Sequence, residues 1–324
     1  MKPISIFVLV NLALIPAAHA ASFDCQRSTS PPEKTICADP ELSALDETLA
    51  QNYGDAMNQL SADGRIILRD GQRRWIRYVT NVCTVYKDNT DLSTCVKQMY
   101  SQRIRDMSAA AAQIGPFVFS RIDYFFAQPD DQFGRPYQGQ TSFPRIDSPM
   151  SDVTAKWNKL MATRDAAEGE GFCDGEPGDV NSGFLIKSAT MTTISSQVGN
   201  GFYCHGTPHG YGATKGVTYI LFPEPHRLTA LDLFDRNKHW ADFLTEKSSA
   251  QLERTIKPND AKIELDKQRI QGIVTTPDAW SLTKDGLLIT INRGEVLANV
   301  FGDIEVAIPW DELQPFLAPT APIQ

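Results

Sequence analysis

Residues 38–60, ADPELSALDETLAQNYGDAMNQL, decide the first part of the fold. Asp39 is a helix N-cap and Pro40 takes the first helical position, where a missing N–H costs nothing. Leu42, Leu45, Leu49, Tyr53, Met57 and Leu60 then recur at steps of three and four, the apolar stripe of a helix packed on neighbours. A second helix follows from about Asp63, with Ile67, Trp75, Ile76, Val79 and Val82 as its expected buried side. Arg69, Arg73, Arg74 and Arg77 make a basic band on it, which reads as a solvated face paired with Asp70 and nearby acids. A third helix begins near Asp91 and carries Leu92, Cys95, Met99, Ile104 and Met107. The expectation is a helical hairpin assembly of about three helices.

Six cysteines lie beyond residue 20, and their spacing staples this assembly. Cys25 and Cys37 are twelve apart, as are Cys83 and Cys95, and Cys173 is left to pair with Cys204. Clustered CxxC spacing, which a structural metal would need, does not occur. Disulfides imply an oxidising compartment, and the first twenty residues, MKPISIFVLVNLALIPAAHA, have the layout of a secretion signal. Lys2 precedes an apolar run from Ile4 to Ile15, and Ala18 and Ala20 flank the cut. A soluble protein of the bacterial periplasm is expected, with no membrane span after residue 20.

The segment QIGP at 113–116 closes the helical part, which sets expected domains at 21–115 and 116–324. Past it, FVFSRIDYFF reads as a strand, QPDDQFGRPYQGQTSFPRIDSP as turns, and AKWNKLMATRDAAE as a helix. FLIKSATMTTIS, GFYCH, GVTYILFP, GLLITI and IEVAIP read as strands, with HWADFLTEKSSAQLERTI helical between them. The fold class is therefore α+β: disulfide-stapled helices, then an antiparallel sheet with helices on one face.

Charge separates the two parts. Residues 21–115 carry 11 Lys plus Arg against 12 Asp plus Glu, and residues 116–324 carry 19 against 27. The acidity of the second part argues against nucleic acid or an anionic membrane as partner and favours a neutral or basic one. Its densest run is DAAEGEGFCDGEPGD at 165–179, which reads as a solvated loop because its spacing does not fit a calcium-binding EF-hand.

Residues 204–212, CHGTPHGYG, place His205 and His209 in one loop. Gly206, Pro208, Gly210 and Gly212 forbid the helix on which a four-residue histidine spacing would form a metal-binding face. A zinc-dependent hydrolase using His205, His209 and a nearby carboxylate is the enzymatic alternative. No GxSxG elbow accompanies the histidines, and Asp232 and Asp235 in LTALDLFD sit in an apolar frame that reads as a corner. Trp157, Trp240, Trp280 and Trp310 read as core. No catalytic residue, metal site or cofactor is expected.

FDCQRSTSPPEKTICADPELSALDETLAQNY, RDGQRRWIRYVTNVC and DLSTCVKQMYSQRI together resemble the LprI-type lysozyme-inhibitor family over residues 23–107. Phe23, Cys25, Glu33, Ile36, Cys37, Asp39, Leu42, Leu45, Asp46, Gln72, Trp75, Cys83 and Cys95 carry the likeness, and Gly71 departs from it. The second part, over 117–317, resembles the extracellular domain of RsiV-type anti-sigma factors through TPHGYG, LTALDLFD, LTKDGLLITI and GDIEVAIPWDEL. Both resemblances imply a lysozyme as the protein partner, bound and inhibited to protect the wall, with peptidoglycan or another envelope protein as the alternative. An acidic chain suits a basic lysozyme. His209, with Gly210, Tyr211 and His205, is the candidate contact, since an imidazole could enter a cleft that holds two carboxylates.

Overall fold

The computed structural model describes residues 21–84, 89–128, 137–168, 173, 178–256 and 263–323, with the side chains of 89–91 and 163–168 left out. The leader expected over 1–20 lies outside the described residues. So do the side chains of the acidic run, except those of Cys173 and Asp179.

Four α-helices build the first part: α1 (Pro31–Ala38), α2 (Pro40–Gln59), α3 (Ala62–Cys83) and α4 (Asn89–Ser108). The extra helix beyond the three expected is α1, which starts in a capping box. The Ser30 hydroxyl accepts from the Glu33 N–H, and the Glu33 carboxylate accepts from the Ser30 N–H. Hydrogen bonds from the Ser30 and Thr29 N–H groups hold the Glu33 carboxyl below its ordinary value. Asp39 caps α2 as its sequence position predicts. Disulfides Cys25–Cys37 and Cys83–Cys95 staple the ends, each closing a twelve-residue separation. Loops of that length stabilise by about 2–4 kcal/mol each. Ile36, Leu42, Leu49, Leu68, Trp75 and Val79 form the core of this part. Ile76 does not join it: at 100° per residue it turns away from Trp75 and Val79, and it is 50% exposed.

The second part is α+β with two sheets, and its first strand begins at Ala111, ahead of the 115/116 boundary expected from QIGP. The larger joins β1 (Ala111–Ile114), β2 (Phe117–Gln128), β3 (Tyr137–Ser148), β4 (Gly178–Ala189), β5 (Thr193–Cys204), β6 (Tyr211–Ile220) and β7 (His226–Arg227) in sequence order. Every neighbouring pair is antiparallel except β3 and β4, which run parallel over Gly139–Thr141 against Val180–Ser182. Helix α5 (Asp152–Glu168) makes the crossover that a parallel pair requires. After α6 (Ala230–Leu233), α7 (Trp240–Thr255) and α8 (Lys267–Val274) come β8 (Trp280–Leu282), β9 (Gly286–Ile291) and β10 (Ile304–Pro309). These three strands form the smaller antiparallel sheet, followed by α9 (Trp310–Leu313).

Helices cover the sheets at three places. Helix α3 packs on β2, α5 on β3, and α7 and α8 on β10 and β9. Trp157 and Trp280 are fully buried, while Trp240 and Trp310 are packed partly buried against the core that holds Trp280. Two strand assignments change. TSFPRIDS belongs to β3, because Phe143 and Ile146 are buried and β2 pairs along the whole strand. FLIKSATMTTIS breaks into a β4–β5 hairpin, since the Thr190 hydroxyl accepts from the N–H groups of Thr192 and Thr193 at 3.1 and 3.0 Å.

Two junctions hold these layers together. Between the helices and β2, Arg103 of α4 donates to Asp123 at 2.7 Å, and Arg121 donates to the other oxygen of Asp123 at 2.8 Å. Arg121 also donates to the Asp106 carbonyl, and Gln72 accepts from Arg103. Both side chains of the Arg103–Asp123 pair are excluded from solvent. Burial pushes the Asp123 carboxyl up, yet Arg121 and Arg103 overcome it and hold the group below its ordinary value of 3.8. Nearby, the Ser61 N–H and hydroxyl and Arg145 all donate to Asp147.

The smaller sheet meets the larger one mainly through uncharged buried groups, although Gln197 also donates to the Glu305 carboxylate of β10 at 3.3 Å and Arg227 of β7 pairs at the rim with Asp278, just before β8. The Leu282 N–H donates to the Ser195 hydroxyl at 2.8 Å, the Ser188 hydroxyl donates to the Leu282 carbonyl, and Gln197 bonds to Thr290. At Gly216 the two layers come so close that an added Cβ would lie 1.8 Å from the Trp280 carbonyl oxygen.

Candidate functional site

CHGTPHGYG is the turn of the β5–β6 hairpin, whose last ladder pair is Phe202 with Tyr211. The turn closes on itself. The Thr207 N–H and hydroxyl donate to the Cys204 carbonyl at 3.1 and 2.8 Å, and the Tyr203 hydroxyl donates to the Thr207 carbonyl. Gly206 has φ +87°, a left-handed conformation that explains the glycine there. Cys204 is bridged to Cys173, so the turn is tied covalently to the segment that leads into β4.

The two histidines occupy different environments. His205 has no exposed side-chain surface, and its Nε2 lies 3.1 Å from Asp179 Oδ1, an oxygen that also accepts from the Gln138 N–H. His205 therefore ties the turn to the start of β4 and to β3. His209 is exposed, with Nδ1 3.2 Å from the Gly210 carbonyl and its ring edge-on to Tyr211 at 5.1 Å. Tyr211 is itself 53% exposed and stacks on Phe202 at 5.3 Å. Gly210 lets the strands approach, since a Cβ there would sit 3.0 Å from the Phe202 carbonyl oxygen. The outer surface is a stepped row of rings, Phe202, Tyr211 and His209, on a backbone fixed from below.

Beside this row, where the helices meet the β3–β4 seam, lies a cleft of about 330 Å³. Tyr78, Phe202 and Tyr203 supply rings to its wall, and Gln138, Gln140 and Asn181 supply amides. Asp179, which also touches His205, belongs to the same wall. The sequence placed the loop but not the cleft, whose walls come from five elements, α3, α4, β3, β4 and β5, brought together by the fold.

Elsewhere, Asp232 is a local cap that accepts from the Thr229 N–H and hydroxyl at 2.7 Å, and Asp235 accepts from the Asn237 N–H. All six cysteines are in disulfides with the predicted pairings. Among the described residues, no three His, Cys, Asp or Glu side chains gather as metal ligands, and no helix is long and apolar enough to cross a membrane.

Comparison with known proteins bears on the stapled helices first: residues 25–109 match the family described as Lysozyme inhibitor LprI. The helical part is similar to the LprI lysozyme inhibitors. In this LprI-like part the matched segment contains Arg103, while its buried partner Asp123 lies beyond the match. Residues 231–311 match DUF3298, described as a protein of unknown function. Neither description names an enzymatic activity. Among solved structures, a DUF3298 family protein from Pseudomonas aeruginosa PAO1 is similar at 13% identity, covering 64% of this chain and 96% of its own, with a TM-score of 0.48. A DUF3298 member from Bacteroides fragilis is similar at 12% identity with the same coverage and a TM-score of 0.41. No curated protein matches the chain.

Proposed function

We propose that this protein is exported to the periplasm, where it binds and inhibits a lysozyme and so protects the cell wall. The observation that carries the reading is the LprI match over residues 25–109, on a helical part whose two disulfides suit an oxidising compartment. The acidic second part would speed encounter with a basic enzyme. The contact surface we assign to the β5–β6 turn: His209, Gly210 and Tyr211 meet the partner, and buried His205 fixes the turn behind them. A rigid, glycine-shaped turn that presents aromatic rings loses little freedom on binding. No catalytic step is proposed.

Inhibition of a c-type lysozyme by the whole protein tests the proposal, with binding measured in parallel. Dose-dependent inhibition is expected, and His209→Ala should weaken binding by about tenfold or more, as loss of a central interface side chain does. Absence of both binding and inhibition in the wild type overturns the proposal. Intact binding in His209→Ala removes the turn from it.

A second reading is favoured by the cleft, whose rings and amides are groups that a sugar uses for stacking and hydrogen bonding. On that reading the protein holds peptidoglycan. Retention on insoluble peptidoglycan, with no retention on immobilised lysozyme, would select it.

A further inference from the structure

The basic band on α3 takes no part in the function proposed above. The ion pairs expected to neutralise it are mostly missing: Arg73 approaches Asp70 at 3.7 Å with both side chains at least half exposed, and among the described residues no carboxylate pairs with Arg69 or Arg77. At 100° per residue, Ile66, Arg69, Arg73, Ile76 and Arg77 share an arc of about 100° on the outer side of the helix. Ile66 and Ile76 are 54% and 50% exposed, and Tyr124, 51% exposed, stands at the edge of the arc under the Arg74 guanidinium.

Charge is segregated along the chain as well. Residues 35–64 hold six acids and no lysine or arginine, whereas residues 65–77 hold five arginines and one aspartate. The near-neutral total of the helical part thus conceals a cationic face. The net charge that disfavours an anionic surface belongs to the residues after 116 and does not describe α3.

We propose that the outer face of α3 is a docking surface for an anionic phospholipid bilayer. The arrangement of its apolar residues selects this occupant. Ile66 and Ile76 are ten residues apart, about 15 Å along the helix, on a convex surface with arginines between them. A protein partner would call for a contiguous apolar patch. A soluble polyanion would use the charges and leave both isoleucines in water. A headgroup layer takes each protruding apolar side chain separately, while arginine stems lie along it and the guanidinium groups reach phosphate.

Co-sedimentation of the whole protein with phosphatidylglycerol-containing vesicles and with phosphatidylcholine vesicles tests this. Binding to the first alone is expected, and it should fall in high salt. The triple variant Arg69→Gln, Arg73→Gln, Arg77→Gln should lose about a hundredfold in partition, at roughly fivefold per arginine. The corresponding triple lysine variant should retain binding, and Ile66→Ser with Ile76→Ser should lose about tenfold. Equal partition onto both vesicle types, or unchanged partition of the triple glutamine variant, overturns the proposal. Binding to soluble polyglutamate as strong as binding to vesicles also overturns it and assigns the face to an acidic partner. Lysozyme inhibition by the same variants should be unchanged, so the two proposals fail separately.

Discussion

The two junctions of this molecule solve the same packing problem with opposite chemistry. Where the LprI-like helices meet β2, the contact is ionic: Arg103, Asp123, Arg121 and Asp106 are drawn together out of water. Where the smaller sheet meets the larger, no buried ion pair forms among the described residues and the contact is close. Ser195, Ser188 and Gln197 reach across, Gln197 to Thr290 and to the Glu305 carboxylate, the Arg227–Asp278 pair stays at the exposed rim, and Gly216 gives room to the Trp280 backbone. An ionic junction depends on every charge keeping its partner, because a stranded buried charge costs far more than the pair contributes. A neutral junction depends on shape, and each of its bonds can be lost at modest cost.

The contrast breaks first at Asp123. Asp123→Ala strands Arg103 and should cost about 3–5 kcal/mol in chemical denaturation. The same group sets an acid response. Its folded carboxyl titrates below the unfolded one, so its stabilisation is complete above about pH 4 and is lost as acidification passes through the folded value. The variant should lack that portion of the acid limb, and an Asp123→Ala protein as stable as the wild type would end the ionic account. Gly216→Ala comes next: its methyl must displace the Trp280 backbone, at roughly 1–3 kcal/mol. Because no charge changes, the loss should be the same at pH 5 and pH 8, and a pH-dependent loss would erase the distinction between the junctions. Ser195→Ala should have the smallest effect, about 1 kcal/mol, from the Leu282 N–H left without its acceptor. A cost matching that of Asp123→Ala would show that the neutral junction is as unforgiving as the ionic one.

What could be read from the sequence follows from how local the signal is. Helices α2, α3 and α4 are legible because their apolar stripes and caps lie within a few residues of each other. Helix α1 was equally legible in Ser30-Pro31-Pro32-Glu33, a capping signal that the pairing of Cys25 with Cys37 overshadowed. Strand β3 was not, because its glutamines, Thr141, Ser142 and Pro144 have turn composition, and only pairing with β2 makes them a strand. The disulfides were legible from spacing and the hairpin turn from its glycines. The separation of His205 from His209 was not, since it depends on Asp179, 26 residues away. The Arg103–Asp123 pair was hidden for a similar reason: an aspartate inside the apolar run RIDYFF signals a buried charge, but its partner lies on another element.

The parallel pairing of β3 with β4 has a mechanical consequence. Only three residue pairs join these strands in the ladder, whereas β2–β3 and β4–β5 are zipped along most of their length. Tension applied between the helical end and the hairpins therefore concentrates at this short seam. It should part there first, with α5 paying out as slack, and leave two intact antiparallel blocks tethered by one covalent strand. The cleft spans that seam, so a ligand bound in it would act as a clasp and raise the force at which the molecule opens.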